Sequence, residues 1–520
     1  MPAASKSSLF SSGQPAWCPI PPPIHEAPFT TLNQIKTKTI LGAGWATLDG
    51  VVGQGLAFLV FLIMARLLTP EDFGLVALAN LYVLVAQFLI FIGFGQALVQ
   101  FDDLDDRDLD TAFWLQALVG TIFCGLTLLA PAAIAGFLGN ERLVPLISAL
   151  APIFILSGIS SVQIAYLTRH MDFRALALRN FVGFAIGAIV GIFSALHHAG
   201  AWSLVWQQLA GNVVQVSVLW TLSAWRPGFT FSRERARRLV AFGSHAMISD
   251  LAGLISRRSD QFFVGKYLGP LASGYYAIAA RVSNLMTEVM IRSLSRVTLS
   301  SFSRLQGEPA RFSSAFARVV EMQSLIVLPA AVGLALLAPE VVTCFFGAKW
   351  LPSVPAMEVL LLGVIFDALN AVHQSALTSR GYPGWSNFIT SLHLFANLAA
   401  FASVVQWGIQ AVAIASVTRA VILYPVELII LHRLLDLSPW QELQRLFLLA
   451  GVTAGMAAVV YVVKVAGSSL PPGTMIALGS VVGAAFFIGA LFLSHRPLFA
   501  EIWGSLQILR RRPAGKQPAL

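Results

Sequence analysis

The sequence predicts an all-α polytopic membrane protein with about fourteen transmembrane helices. Of its 520 residues, 57% are hydrophobic and only 11% are charged, which leaves too little polar surface for a protein folded in water. Apolar runs recur between residues 41 and 494, and at about 20 residues each is long enough to cross a bilayer core as a helix. A short corner that occurs twice, 200 residues apart, further predicts two similar six-helix lobes followed by two extra C-terminal helices.

The first segment of the chain differs in composition from the rest. Residues 1–38 are rich in Ser and Pro and lack the continuous apolar core of a signal peptide, so we expect a disordered cytoplasmic tail. The predicted spans that follow are 41–67, 73–99, 112–137, 143–167, 178–197, 201–223, 241–266, 272–298, 317–338, 353–378, 385–406, 409–432, 444–465 and 473–494. The connectors of spans 5–6 and 11–12 are very short, so a count of twelve stays open.

Positive charge alternates along the loops. With the N-terminus inside, the inside loops and the C-terminal tail hold most of the loop arginines, and the outside loops hold few basic residues. This asymmetry predicts that both termini are cytoplasmic. The inside arginines are Arg169, Arg174, Arg179, Arg226, Arg233, Arg235, Arg237, Arg238, Arg304, Arg311, Arg318 and Arg510–Arg512. The acidic run DDLDDRDLD at 102–110 also falls inside, and we expect a solvated loop that caps span 3.

These spans and loops divide the chain into six parts. We expect a tail (1–38), an N-terminal six-helix lobe (39–225), a basic cytoplasmic linker (226–240), a C-terminal six-helix lobe (241–435), extra helices 13 and 14 (436–496) and a basic cytoplasmic tail (497–520).

The repeated corner joins span 1 to span 2 and span 7 to span 8. Its two copies are ARLLTPEDFGLVALA (65–79) and GKYLGPLASGYYAIA (265–279). Six spans separate the copies, so both enter the membrane in the same direction, which is the pattern of a parallel repeat. Two such lobes are typical of alternating-access transporters, with the cargo held between the lobes.

Two stretches resemble a known family. SRRSDQFFVGKYLGPLASGYYAIAARV (256–282) and GWATLDGVVGQGLAFLVFLIMARLLTPEDFGLVALA (44–79) are similar to the corresponding helices of Wzx-type polysaccharide flippases. These proteins form the polysaccharide-synthesis branch of the multidrug/oligosaccharidyl-lipid/polysaccharide exporter superfamily. The resemblance implies a V-shaped fold that moves an undecaprenyl-diphosphate-linked oligosaccharide from the inner to the outer leaflet by alternating access. It also implies membrane lipids as surroundings, and a polysaccharide polymerase and chain-length proteins as candidate partners.

Charged residues inside the predicted spans indicate a binding site, because a charge at the bilayer centre costs about 2.5–3.5 kcal/mol on insertion scales. Arg257, Arg258 and Arg281 all fall roughly 12–15 Å below the outer surface, at 1.5 Å per residue. Guanidinium groups bind a diphosphate with forked, charge-assisted hydrogen bonds. We expect Arg258 and Arg281 to bind this group, with Arg257, Arg292 and Arg419 as further candidates.

Other polar residues have open roles. Arg257 with Asp260, and Glu288 with Arg292, have the spacing of helix ion pairs. Asp49, Asp260 and Asp367 are candidates for proton or sodium coupling, with structural pairing as the alternative. His373 and His393 are expected to be packed or paired.

The first lobe has no matching cations. The 200-residue offset places Ala57, Phe58 and Leu81 where the second lobe has Arg257, Arg258 and Arg281. The neutral polar residues of spans 1 and 2 could bind sugar or join helices. We therefore expect a cationic site in the second lobe alone.

Several functions are disfavoured. The net charge of +9 lies largely in loops, so nucleic acid is not expected. The three cysteines, Cys18, Cys124 and Cys344, are scattered, so neither a disulfide framework nor a metal site is expected, and no cofactor motif appears. The alternatives are a multidrug exporter of the same superfamily, for which acidic cavity residues are expected, and a membrane glycosyltransferase or polymerase, for which a large outside loop or acidic first loop is expected. We expect Glu71 and Asp72 to start helix 2, and the chain not to be an enzyme.

Overall fold

The structure is a computed structural model made of helices. It describes residues 32–91, 98, 104–292, 298, 302–305 and 308–494. Within these residues there is no β-strand. Ten helices of this part are long and apolar enough to cross a membrane. The chain is therefore a multi-pass helical membrane protein, as its composition predicts.

Six helices form the first lobe. They are α1 (Leu32–Leu67), α2 (Pro70–Phe91), α3 (Asp106–Leu129), α4 (Leu143–Arg169), α5 (Phe173–Leu196) and α6 (Ala201–Leu222). Helix α4 consists of two helical pieces that meet at Pro152, where the missing N–H and the proline ring interrupt the helix.

Six helices form the second lobe, and two more follow it. They are α7 (233–268), α8 (270–287), α9 (Pro309–Leu336), α10 (Val354–Ser379), α11 (Pro383–Val404), α12 (Ile409–Leu435), α13 (Pro439–Ala466) and α14 (Pro472–Ser494). Helices thus occupy the fourteen predicted span positions, and the far ends of predicted spans 2 and 8 lie outside the described residues. Helix α1 (Leu32–Leu67) includes residues 32–38, which the sequence analysis assigned to a disordered tail.

The second corner is a tight helical hairpin. Gly269 has a φ of 82° and a ψ of −178°, which only glycine adopts readily, and it separates α7 from α8. The Tyr276 hydroxyl on α8 donates to Asp260 Oδ2 on α7 at 2.8 Å. Because these residues are 16 apart in sequence, a straight helix would hold them about 24 Å apart. The two helices therefore run side by side in opposite directions.

The two corners pack against each other. A Cβ atom at Gly74 would lie 1.7 Å from the Pro270 carbonyl oxygen, and a Cβ atom at Gly274 would lie 1.8 Å from the Pro70 carbonyl oxygen. Both distances are far below van der Waals contact, so only glycine allows this approach. The repeat thus places the same backbone surface on both lobes, and the two surfaces meet on what we call the corner face, around residues 66–74 and 266–274.

Each lobe also contacts the other lobe's corner with a short helical segment, Ala348–Ser353 in the second lobe and Pro131–Phe137 in the first. From the second lobe, Lys349 Nζ donates to the carbonyls of Arg66 at 2.8 Å and Leu68 at 2.6 Å, and Trp350 Nε1–H donates to Ala65 at 2.9 Å. From the first lobe, the Phe137 ring lies 4.7 Å from Lys266 Nζ. We call these contacts the two clasps; they seal the corner face.

The opposite side of the molecule, which carries the starts of α3, α5, α7, α9, α11 and α13, is called the basic face. Here Asp105 caps α3: its side chain accepts from the Asp108 N–H at 3.0 Å, and Asp108 accepts from the Asp105 N–H at 3.1 Å. Arg235 of α7 bridges both carboxylates. Burial opposes the charged form of Asp105, but hydrogen bonds from Arg235 and Asp108 outweigh it and lower the pKa of this carboxyl.

The acidic run is less solvated than the sequence predicts. Asp108 and Asp110 are 4% and 5% exposed. Asp110 accepts from the Gly228 N–H at 2.8 Å and from the Thr230 hydroxyl at 2.6 Å, so the run binds the linker between the lobes. The capping role is correct, but the expectation of a solvated loop is wrong for these two residues, because sequence alone does not reveal that the linker covers them.

The first of the extra helices, α13, is attached to the second lobe by ion pairs. Arg445 of α13 contacts Glu321 of α9 at 2.6 Å, and Lys464 contacts Glu340 at 3.1 Å. The two pairs lie at opposite ends of α13, so this helix is fastened to the lobe along its length.

Candidate functional site

Helix α7 carries three of the predicted site residues, Arg257, Arg258 and Asp260, about three turns before the second corner. Arg258 lies eleven residues before Gly269, which places it roughly 16 Å from the corner at 1.5 Å per residue. Arg257 is exposed and Arg258 is half-buried. Asp260, two residues after Arg258, accepts the hydrogen bond from Tyr276 and interacts electrostatically with Arg258.

Arg281 of α8 lies where the two lobes meet. Its guanidinium carbon is 5.8 Å from the centre of the Phe61 ring on α1, which belongs to the first lobe. It also lies close enough to Arg258 and Glu288 to interact electrostatically with both. The hairpin of α7 and α8 therefore brings together the two arginines that the sequence singled out, at a similar depth.

A third arginine joins this group from α12. Arg419 is half-buried and interacts electrostatically with Asp367 of α10 and with Asp260. The side chain of Asp367 is accessible, and it interacts electrostatically with Arg419, His393 and Asp260. Helices α7, α8, α10 and α12 thus place three arginines and two aspartates around one region, which we call the central cluster (Arg258, Asp260, Arg281, Asp367 and Arg419).

Two predicted residues cannot be assigned to the cluster. Asp49 lies on α1, and Arg292 lies in a short π-helical turn that follows α8. The structure describes the backbones of these two residues but not their side chains. Their predicted roles remain predictions.

A buried polar chain extends from the central cluster. The guanidinium of Arg419 donates to His393 Nδ1, and His393 Nε2 contacts Glu427 at 2.8 Å. Glu427 also contacts His373 Nδ1 at 2.8 Å, and His373 Nε2 contacts Glu442 at 3.0 Å. Both histidines are paired, as the sequence predicts.

Sequence reasoning missed Glu442. This residue lies just before the predicted span 13, at 444–465, so its charge was not counted as an intramembrane charge. The structure buries it at 6% exposure. The available signal was its place just before the apolar run of span 13, since a carboxylate this close to a span needs a partner.

The first lobe presents neutral polar groups instead. Gln54 on α1 is exposed, and Gln87 of α2 donates to the Ser157 hydroxyl of α4 at 3.0 Å. Phe58, which matches Arg258, packs edge-on against Phe346 with ring centres 6.5 Å apart. Among the described residues of α1 and α2, no positively charged side chain lies at the depth of the central cluster.

The central cluster is suited to binding an anion. Three guanidinium groups supply planar, forked donors that match phosphate oxygens. The cluster as defined has three guanidinium groups and two aspartates, with Glu288 beside Arg281 and Glu427 beside Arg419. In the described part of the chain, no group of three or more His, Cys, Asp or Glu side chains is arranged to hold a metal ion. The fold and the cluster define a two-lobed helical membrane transporter with a cationic central site.

Comparisons with known proteins agree with this class. The chain belongs to the polysaccharide biosynthesis protein family, whose model matches residues 63–355. It is 28% identical to the succinoglycan biosynthesis transport protein ExoT of Rhizobium meliloti, over 63% of this chain and 67% of that protein. It is 25% identical to the teichuronic acid biosynthesis protein TuaB of Bacillus subtilis, over 66% of this chain and 72% of that protein. The resemblance predicted from the two corners is confirmed.

The fold also matches a solved transporter structure. The structure of the lipid II flippase MurJ in an inward closed conformation superposes with a TM-score of 0.72, covering 88% of this chain and 99% of that chain at 13% identity. At this identity the match concerns the fold alone, and it confirms the predicted architecture.

Proposed function

We propose that the protein is a flippase that moves an undecaprenyl-diphosphate-linked oligosaccharide from the inner to the outer leaflet of a bacterial cytoplasmic membrane. The observation that carries this proposal is the contact of Arg281 with the first lobe at Phe61, beside Arg258. A cationic site between two lobes is accessible from alternate sides as the lobes rock. Its chemistry fits a compact, multiply charged diphosphate.

The roles within the site follow from this cargo. Arg258 and Arg281 bind the diphosphate, with Arg257, Arg292 and Arg419 as further cationic groups. Asp260 and Asp367 lie beside these arginines and are candidates, with Asp49, for binding the ion that drives transport. The protein acts as a transporter and not as an enzyme, since the family relatives described above include a transport protein.

The proposed orientation has both termini in the cytoplasm and the basic face inside. The corner face then lies outside, so the structure is closed to the outside by the two corners and their clasps. The proposal also divides the chain into four parts. They are a first lobe (39–225), a linker (226–240), a second lobe (241–435) and helices 13 and 14 (436–496). A polymerase and chain-length proteins would use the exported cargo.

The function is tested by the leaflet location of the lipid-linked oligosaccharide in spheroplasts depleted of this protein. A membrane-impermeant reagent that modifies sugars reports the outer leaflet. We expect the cargo to accumulate in a protected form on depletion and to become accessible on re-expression. Cargo that stays accessible but unpolymerised would contradict a flippase and favour a polymerase or transferase. Cargo that is unaffected would favour the drug-exporter alternative.

A further inference from the structure

The second lobe contains a buried site in which one histidine lies between two carboxylates. His373 of α10 is fully buried, and the side chains of Glu427 and Glu442 are each 5% exposed. Its Nδ1 atom lies 2.8 Å from Glu427 Oε2, and its Nε2 atom lies 3.0 Å from Glu442 Oε1. The Tyr424 hydroxyl donates to the same Glu442 oxygen at 2.7 Å. Three helices, α10, α12 and α13, thus meet at this ring.

Counting donors and acceptors shows that this site holds an additional proton. A neutral imidazole has one N–H and one lone pair, whereas an ionised carboxylate can only accept. If both glutamates were ionised and His373 were neutral, one ring nitrogen would direct its lone pair at a carboxylate oxygen in a buried site. Both contacts become hydrogen bonds when His373 is an imidazolium, because both nitrogens then donate.

His393, the other histidine of the buried polar chain, has different hydrogen-bond partners. Arg419 can only donate, so His393 Nδ1 accepts and His393 Nε2–H donates to Glu427. This arrangement needs only a neutral His393. Because His393 needs no additional proton, that proton belongs to the group of His373, Glu427 and Glu442, and we assign it to the His373 ring, whose two nitrogens then both donate. The aromatic rings of Phe316 and Tyr424 lie over its two faces, with centres 6.1 and 5.8 Å away, which favours a cation between them.

The site connects the basic face with the central cluster. Glu442 lines a small pocket together with Ser313, Ser438 and Arg445, near the starts of α9 and α13. On the other side, Glu427 and His393 lead to Arg419 and from there to Asp367. A proton can thus reach His373 from the aqueous side through Glu442. The charged and titratable groups that surround the ring are Glu321 of α9, His393 of α11, Arg419, Tyr424 and Glu427 of α12, and Glu442 and Arg445 of α13.

We propose that His373, Glu427 and Glu442 form a proton-binding site that takes up and releases one proton during the transport cycle. On uptake, a hydronium ion at the pocket gives its proton to the ring by way of Glu442, and water is left. The proton joins α13 to the second lobe, since both carboxylates then accept from one imidazolium. On release, the ring gives its proton to a water molecule, which becomes hydronium; a carboxylate then faces a ring lone pair, and the contact between α13 and the lobe weakens. The role in transport depends on the function proposed above, but the presence of the proton does not.

The proton itself is detected without cargo. The full-length protein is labelled with ¹⁵N in its histidine rings, placed in lipid nanodiscs, and examined by NMR at pH 7. We expect an imidazolium signal that is lost in His373→Gln and shifts to a neutral ring in Glu442→Gln. His197→Gln, which removes an exposed histidine, is the matched control and should leave the signal in place. A neutral His373 in the wild-type protein would overturn the proposal.

The role of the proton in transport needs a second measurement. Proteoliposomes that contain lipid-linked oligosaccharide are given a proton gradient, and the flipping rate is compared with and without it. We expect the gradient to change the wild-type rate, whereas His373→Gln and Glu442→Gln flip at the same rate in both conditions. A wild-type response retained in both variants would overturn the transport role. If the wild-type protein moves no such cargo, the proposed function fails, and the NMR result still decides the proton site.

Discussion

The two lobes contain the same corner but different chemistry. At residues 70–74 and 270–274 they use the same proline and glycine, and these residues touch each other across the lobe interface. Eleven or twelve residues further from the corner, the second lobe has Arg258 and Arg281, where the first lobe has Phe58 and Leu81. The repeat is therefore kept where the lobes must close on each other, and it is lost where the cargo is proposed to bind.

This difference separates two tasks of the molecule. Closure needs two matching backbone surfaces, because Gly74 and Gly274 each approach the other corner's carbonyl oxygen. Binding of a diphosphate needs several cations at one place, and a second set in the first lobe would add repulsion without a second anion to bind. Each prediction below tests one side of this comparison.

The largest effect is expected from the arginines of the second lobe. Arg258→Ala and Arg281→Ala should each lower the flipping rate at least tenfold, and the double variant about a hundredfold, because a hydrogen bond to a charged group contributes about 1.5–3 kcal/mol. Phe58→Leu and Leu81→Met, at the matched positions of the first lobe, should stay within about twofold, since conservative apolar replacements in a core are well tolerated. The rate is measured in proteoliposomes with equal amounts of folded protein. Normal rates in both arginine variants would contradict the cationic site.

The next largest effect is expected at the corner glycines. Gly74→Ala and Gly274→Ala should each prevent closure and lower the flipping rate about tenfold or more, because overpacking costs about 1–3 kcal/mol and here the obstacle is backbone. Gly55→Ala on α1 is the control, since a Cβ atom there meets nothing within 4 Å. Closure is followed by the distance between spin labels at Leu67→Cys and Tyr267→Cys, both exposed. A different outcome for the two glycines would show that the contact is not reciprocal.

The two clasps should differ in strength. Lys349 makes two charge-assisted hydrogen bonds to the first corner, whereas Lys266 contacts the Phe137 ring. Lys349→Met should therefore lower the thermal unfolding midpoint more than Lys266→Met, since an exposed cation–π contact contributes only about 0.5–1 kcal/mol. Methionine keeps the apolar stem in both variants. Equal shifts of the unfolding midpoint in the two variants would mean that the two clasps stabilise the corners by packing alone.

The smallest effect is expected at the basic face. Asp105→Asn keeps the helix cap but removes the charge that pairs with Arg235, so the unfolding midpoint should fall slightly at pH 7. Because the folded-state pKa of Asp105 is lowered, its contribution is complete above the usual value of 3.8 and is lost as the pH falls through the lowered value. The difference between wild type and variant should vanish in that acidic range. Glu308→Gln, in an exposed pair of the second lobe, should change nothing measurable.

The sequence predicts the fold well because its signals are local. Span length follows from apolar runs, and the corner is visible as an identical Pro–Gly spacing at one offset. What the spacing does not reveal is that Gly74 touches Pro270, because contact between the lobes depends on their docking. Nor does the spacing reveal that Asp260 accepts from Tyr276 across the hairpin turn.

The candidate site was predicted only in part for the same reason. Arg258 and Arg281 could be grouped by their depth below one corner, and the structure brings them together. The chain from Arg419 through His393 and Glu427 to Glu442 joins four helices, so no sequence spacing encodes it. Polar residues in apolar spans signal that partners exist, but the partners are decided by tertiary packing.

The central claim is that the second lobe binds a diphosphate through Arg258 and Arg281. The affinity of the protein for lipids with and without a diphosphate tests this claim most directly. The purified protein in nanodiscs is titrated with an undecaprenyl-diphosphate-linked oligosaccharide and with undecaprenyl monophosphate. The account predicts that the diphosphate binds at least tenfold more tightly, since it adds charge-assisted hydrogen bonds of about 1.5–3 kcal/mol each, and that Arg258→Ala with Arg281→Ala removes this preference. Equal affinity for the two lipids, or a preference that survives the double replacement, would contradict it.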